Sequence, residues 1–191
     1  MEKGLAIITG ADGGMGQVIT AALAKEGYPV IMACLDPEKA ASLCNRIQQE
    51  TGNTQIEVRE INLASLSSVN NFTGQLLKEG RPVSRLMNNA GILTTPVRKT
   101  EDGLETIVSV NYVAPYMLTR QLLPLMQPGC RIVNTVSCTY AIGRIEPGFF
   151  EKGRNGRFFR IPVYSNTKLA LLLFTQEFAE RLQDKDITIN A

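Results

Sequence analysis

Tyr164 stands four residues before Lys168 in "PVYSNTKLALLLFTQEF" (162–178), and this pair is the first candidate for chemistry in the chain. Residues four apart are neighbours on a helix surface, so a helical reading sets a phenol beside an amine. An ordinary surface pair has the same spacing. The sharper reading is an acid–base pair. Free tyrosine, with a pKa of about 10, matches chemistry at neutral pH poorly, and a nearby cation stabilises its phenolate. The chain contains no histidine. That excludes Ser-His-Asp and Cys-His catalysis and any histidine-ligated metal. Proton transfer must fall to Tyr, Lys, Asp, Glu or Cys, and no metal site is expected.

A second constellation is "TGADGGMG", Thr9 to Gly16, placed directly after an apolar run and directly before a helical pattern. Glycines in such a turn let the backbone approach a pyrophosphate, and the following helix start offers free N–H groups and a positive dipole end. The spacing of Gly10, Gly14 and Gly16 is G-x-x-x-G-x-G. It is neither G-x-G-x-x-G nor a P-loop, because no G-K-[ST] follows. A dinucleotide is the expected ligand of this turn.

The elements that must carry these residues alternate along the chain. Short β-branched runs at 5–10, 28–34, 54–62, 84–91, 130–137 and 186–191 read as strands. Helical patterns lie at 17–27, 36–52, 65–80, 103–127 and about 164–184, with Pro37 and Gly52 bounding the second, Ser65 capping the third and Pro115 kinking or breaking the fourth. Strands this apolar are buried on both faces, which predicts a parallel sheet between two helix layers, wound doubly through right-handed crossovers. No repeat, linker or low-complexity tract interrupts the pattern, so 1–191 reads as one domain. The chain stops just after a strand, where such sheets normally continue into the wall of the crevice. This predicts a piece lacking its C-terminal substrate loop and last strand.

Composition narrows the remainder. A formal net charge of +2, 44% hydrophobic and 20% charged residues leave no basic patch for nucleic acid and no apolar stretch of membrane-spanning length. The N-terminus has no signal-peptide layout. Cys34, Cys44, Cys130 and Cys138 are scattered without C-x-x-C spacing, which reads as free thiols in a cytoplasmic protein.

Taken in order, "TGADGGMG", "NNAG" (88–91), "VNYVAP" (110–115), "RIVNTVS" (131–137) and "YSNTK" (164–168) resemble the motif series of the short-chain dehydrogenase/reductase family. The resemblance spans the chain and implies a three-layer Rossmann-type sheet of at least six strands. The implied activity is hydride transfer between NAD or NADP and a carbonyl or alcohol, or an activated double bond. Tyr164 would be the general acid/base. Lys168 would tune it and hold the nicotinamide ribose, Ser137 would hydrogen-bond the substrate oxygen, and Asn111 would hold a water in a relay to Lys168. Cofactor contacts would fall on Gly10, Asp12, Gly14, Met15, Gly16, Leu35, Asp36, Asn62, Leu63, Asn89, Ala90 and Gly91, besides Tyr164 and Lys168. The family also implies a homodimer or homotetramer formed through the helices near 103–127 and 164–184.

The 27 positions between Ser137 and Tyr164 include "GRIEPGFFEKGRNGRFFRIP". With "DPEKA", "INLASLSSV" and "YSNTKLALLLFTQEFAERL", this segment resembles the branch of retinol dehydrogenases and protochlorophyllide reductase, which handles bulky lipophilic substrates. Phe149, Phe150, Phe158 and Phe159 would contact such a substrate or simply serve as core for a long loop. Cys34 and Leu35 occupy the places where the family's NAD and NADP markers stand. Asp36 would repel a 2′-phosphate or cap a helix, and Lys39 could reach a phosphate; the balance leans to NAD. Asn62 replaces the aspartate usual at the adenine. Two other readings remain at this stage. One is a catalytically silent, dinucleotide-binding regulatory protein. The other is an epimerase or dehydratase, against which the glycine spacing argues.

Overall fold

A computed structural model describes residues 3–150 and 157–191, and side chains from residue 160 onward in the latter segment. Six parallel strands form one sheet in the order β3-β2-β1-β4-β5-β6. They are β1 (Leu5–Thr9), β2 (Val30–Cys34), β3 (Ile56–Glu60), β4 (Val83–Asn88), β5 (Met126–Asn134) and β6 (Thr188–Asn190). Every residue of "LAIIT" in β1 and "VIMAC" in β2 is buried, as a strand covered on both faces requires.

Alternation along β1 sorts its side chains between two cores. Ala6 and Ile8 pack with Ala24 of α1 (Gly14–Lys25) and with Ala40, Cys44 and Ile47 of α2 (Pro37–Thr51). Leu5 and Ile7 pack with α3 (Leu66–Glu79), α5 (Ala114–Leu122) and α6 (Arg157–Leu182) through Val69, Leu118 and Phe174, among others. The three-layer, doubly wound sheet is therefore as expected. Its winding reverses between β1 and β4, and in such sheets the crevice at the carboxyl ends beside that reversal is the ligand position.

Local signals explain several boundaries. Asp36 caps α2 by accepting from the Lys39 amide at 3.2 Å, and Pro37 follows at its first position. Ser65 caps α3 through the Ser68 amide at 3.3 Å. Three expectations need correction. The 103–127 stretch is not one helix: α4 (Thr106–Val108) runs into a π-helical turn, Ser109–Val113, before α5 begins. In that turn the Ala114 amide bonds the Ser109 carbonyl five residues back. Pro115 is the cause at hand, since it has no N–H to offer the Asn111 carbonyl four residues before it.

Second, β5 starts at Met126 and ends at Asn134 rather than covering 130–137. Pro128 and Gly129 look like a turn in sequence. A register shift in the pairing with β4 and a positive φ of 83° at Gly129 accommodate them within the strand. Third, α6 begins at Arg157, not near 164, and takes in Pro162. A tertiary contact overrides the proline there: Arg160 is held by an ion pair to Glu105.

Candidate active site

Two glycines of the first turn are required by close approach. Gly10 has φ +60°, and a Cβ there would lie 3.1 Å from the Cα of Ala90. A Cβ on Gly16 would lie 2.1 Å from the Gly10 carbonyl oxygen, so α1 can start this close to β1 only with glycine. The N-cap residue Gly13 makes no side-chain cap, and the first turn of α1 carries no acidic residue. The helix start therefore offers its amides and dipole to an anion. Asp12, Gly14 and Met15 are exposed along this turn, and a Cβ on Gly14 would meet nothing within 4 Å.

Thr9, which the sequence reading used only as part of the motif, ties this turn to "NNAG". Its hydroxyl accepts from the Asn89 and Ala90 amides, both at 3.1 Å, and Asn89 Nδ2 donates to the Thr9 carbonyl at 3.0 Å. Beyond it, Asn88 donates to Asn134 Oδ1 at 2.8 Å and to the Thr119 hydroxyl at 3.1 Å, and Asn134 donates to the Thr175 hydroxyl at 2.9 Å. All four residues are buried. This chain of polar side chains fixes β4 and β5 to α5 and α6 directly beneath the crevice. Its sequence signal is an asparagine at the carboxyl end of each of two neighbouring strands.

Asn111 lies in the π-helical turn, fully buried. Its amide grips the backbone of Ile92, Oδ1 accepting from the Ile92 N–H at 2.8 Å and Nδ2 donating to the Ile92 carbonyl at 2.9 Å, and Nδ2 also donates to the Thr167 hydroxyl of α6 at 3.4 Å. The side chain thus holds the segment after "NNAG" in place. Gly91 sits between the groups; a Cβ there would be 3.3 Å from Lys168 Nζ and 3.6 Å from Asn111 Oδ1.

Tyr164 and Lys168 share one side of α6, as the spacing predicts. Lys168 Nζ lies 5.5 Å from the Tyr164 ring centre and donates to the Thr135 carbonyl, just past β5, at 2.7 Å. Lys168 is only 2% exposed, and burial pulls its amine from an ordinary 10.5 down to about 8. Ser137 lies beyond β5, where it caps a short 3-10 turn, Cys138–Ile142, and its Oγ accepts from the Thr139 amide at 3.3 Å. That turn rests on α6 beside Tyr164. A Cβ on Gly143 would lie 2.6 Å from the Ser165 carbonyl, and the Arg144 amide donates to Asn166 Oδ1 at 2.7 Å. Asn111, Lys168 and Gly91 are therefore in mutual contact range, with the Tyr164 ring alongside and the Ser137 turn packed on the same helix.

The adenosine end is less committed. Leu35 is 65% exposed just past β2. Asp36 is occupied by its helix cap and by a 2.8 Å ion pair to Lys39, whose hydrogen-bonded ammonium holds the carboxyl below its usual range. Cys34 is buried, which together with the nearby Asp12 carboxylate pushes its thiol up to about 12. Asn62 turns its Oδ1 onto the Ala64 amide at 2.9 Å, and Leu63 is buried in the core with its carbonyl held by Ser109. Neither side chain is presented to a ligand by these contacts.

Phe149 and Phe150 stack around Tyr112, with ring centres 5.8 and 6.3 Å away. They line an apolar groove of about 500 Å³ with Tyr116, Leu173 and Phe174. Those α6 positions lie on the side of the helix away from Lys168, so these two phenylalanines serve as cover for the outer face of α5 and α6. Phe158 and Phe159 fall outside the described side chains.

The residues fit a nicotinamide dinucleotide: an uncapped helix start for the pyrophosphate, and a buried amine with a single carbonyl partner for the ribose hydroxyls. Fold and site define a doubly wound nucleotide-binding protein with a tyrosine–lysine dyad at its crevice. The profile of the short chain dehydrogenases matches residues 4–149, and the chain belongs to that family. Human retinol dehydrogenase 13 is 36% identical over 188 residues, covering 97% of this chain and 56% of its own length. Mouse retinol dehydrogenase 12 is 36% identical over 187 residues, covering 97% and 58%. The chain thus spans somewhat more than half the length of the curated relatives it matches. Among solved structures, an uncharacterized protein from Mycobacterium Paratuberculosis superposes with a TM-score of 0.85 at 33% identity, over 97% of this chain and 66% of that one. A metagenomic short-chain oxidoreductase in complex with NADP has a TM-score of 0.77 at 21% identity, over 99% and 80%, a likeness of fold alone.

Proposed function

We propose that the chain carries the nucleotide-binding and acid–base parts of an NAD(P)-dependent oxidoreductase acting on a carbonyl–alcohol pair. The observation that carries this reading is the buried amine of Lys168, unpaired with any carboxylate among the described residues, set against the Tyr164 ring. A bound nicotinamide would supply or accept the hydride. The protein then has to orient the substrate and move one proton. Tyr164 gives that proton to the substrate oxygen in reduction and takes it in oxidation, with the Lys168 cation favouring the phenolate form. Ser137 donates to the same oxygen, where charge develops. A water relay behind Lys168 has the Asn111 main-chain carbonyl to use, because the Asn111 amide is held by Ile92 and Pro115 withholds the usual donor.

The relatives named retinol dehydrogenases support a bulky, lipophilic substrate. So do three exposed apolar side chains on the segments flanking the dyad: Leu93 after "NNAG", Ile142 in the Ser137 turn, and Ile161 just before Tyr164. NAD over NADP is supported by the Asp12 carboxylate near Cys34 and by the neutral Leu35. Self-association through α5 and α6 is supported by the exposed Leu173 and Tyr116, and a cytoplasmic setting by four free thiols. Among the described residues no helix is long and apolar enough to cross a membrane. The comparisons give no support to the silent regulatory alternative. Tyr164→Phe should bind NADH or NADPH as the parent does, by fluorescence titration, and lose turnover of retinol and of bulky ketones. Retained turnover would remove Tyr164 as the acid.

A further inference from the structure

Arg160 and Glu105 are both 0% exposed and paired with each other, Arg160 Nη2 on Glu105 Oε1. Neither residue lies in the five short motifs that carry the cofactor and acid–base site. Arg160 lies one turn before Tyr164 on α6. Its Nε also donates to the Thr94 carbonyl at 2.9 Å, two residues beyond the Ile92 unit that Asn111 grips. Glu105 caps α4, its Oε2 accepting from the Ile107 and Val108 amides at 2.9 and 3.2 Å. From there the chain runs directly into the π-helical turn that holds Asn111. The contacts close a circuit: Arg160 to Thr94, Ile92 to Asn111, and back through α4 to Glu105 and Arg160.

Elementary energetics makes this placement informative. Burying two ions costs several kcal/mol each, and an apolar pair of similar volume is often as stabilising. What the ion pair adds is geometry, because a guanidinium fork fixes two acceptors at once. The start of α6 has reason to need it. Pro162 has no N–H for the carbonyl four residues earlier, so the turn carrying Arg160 lacks one of its own backbone ties.

We propose that the Arg160–Glu105 pair is a positioning device for the acid–base site, setting where Tyr164 stands relative to Asn111 and the segment after "NNAG". The proposal rests on the oxidoreductase reading for its catalytic consequence, though not for its structural one. The test compares the parent protein with Arg160→Lys, which keeps the charge but cannot fork to Thr94, and with the apolar double variant Arg160→Met, Glu105→Met. Turnover of retinol, NADH and NADPH fluorescence titration, and amide hydrogen exchange over 92–94 and 105–111 are read for each. The expected result is kcat reduced by about ten- to a hundred-fold with cofactor Kd within about two-fold, and faster exchange in both segments. The double variant should fold without recovering kcat. A folded double variant with parental kcat would overturn the proposal and leave the pair a packing element. If the parent turns over no retinol or bulky ketone, the functional reading fails separately, and unchanged exchange in Arg160→Lys would still sink the positioning role.

Discussion

Lys168 should weaken the fold of the cofactor-free protein at neutral pH and cease to do so in alkali. Its amine is nearly fully buried, and among the described residues it hydrogen-bonds only the Thr135 carbonyl and pairs with no carboxylate. Burial lowers its pKa from 10.5 to about 8. The unfolded chain therefore holds the proton up to about pH 10.5, whereas the folded chain releases it near pH 8. Between those values the unfolded state binds more protons, so stability rises with pH. Below pH 8 the charged amine lowers stability by a constant amount, about 3 kcal/mol for a displacement of this size.

Lys168→Met replaces the amine with an apolar chain of similar length and removes that penalty. It also removes the bond to Thr135, worth about 1 kcal/mol. The variant should be more stable than the parent by about 2 kcal/mol at pH 7 and about equal to it at pH 10. Urea unfolding followed by far-UV circular dichroism at pH 7, 8, 9 and 10 measures this difference. A difference that stays constant across the range would refute the reasoning, since it would mean the amine titrates alike in both states. The same ionisation should appear in catalysis. kcat/KM reports the free enzyme, so it should fall above about pH 8 as the cation beside Tyr164 is lost.

Gly16→Ala should lower stability by about 1 to 3 kcal/mol, because its methyl would meet the Gly10 carbonyl at 2.1 Å. Gly14→Ala, with open space around it, should leave the thermal midpoint unchanged while weakening NADH binding in fluorescence titration. Leu35→Arg should shift the NADPH-to-NADH affinity ratio upward by roughly ten-fold, the worth of one charge-assisted hydrogen bond. An unchanged ratio would mean that the 2′-phosphate does not lie at residue 35.

Much of this protein is legible in its sequence, because the relevant physics is local. Alternating apolar runs fix strands and helix faces within a few residues. The glycine spacing of "TGADGGMG" reflects backbone contacts between residues six apart. Tyr164 and Lys168 meet because one helical turn brings them together. What sequence periodicity misjudged depended in part on distant partners. The long helix at 103–127 breaks into a π-helical turn because Asn111 grips Ile92 across the crevice and Pro115 withholds a donor. α6 begins seven residues early because Arg160 finds Glu105, 55 residues away in sequence. Neither pairing leaves a periodic trace. The sequence by itself determined the alternating fold and which residues could do the chemistry. Only the tertiary structure decided that Lys168 is buried with no counter-charge among the described residues, since desolvation is set by everything that packs around an amine and not by its neighbours in the chain.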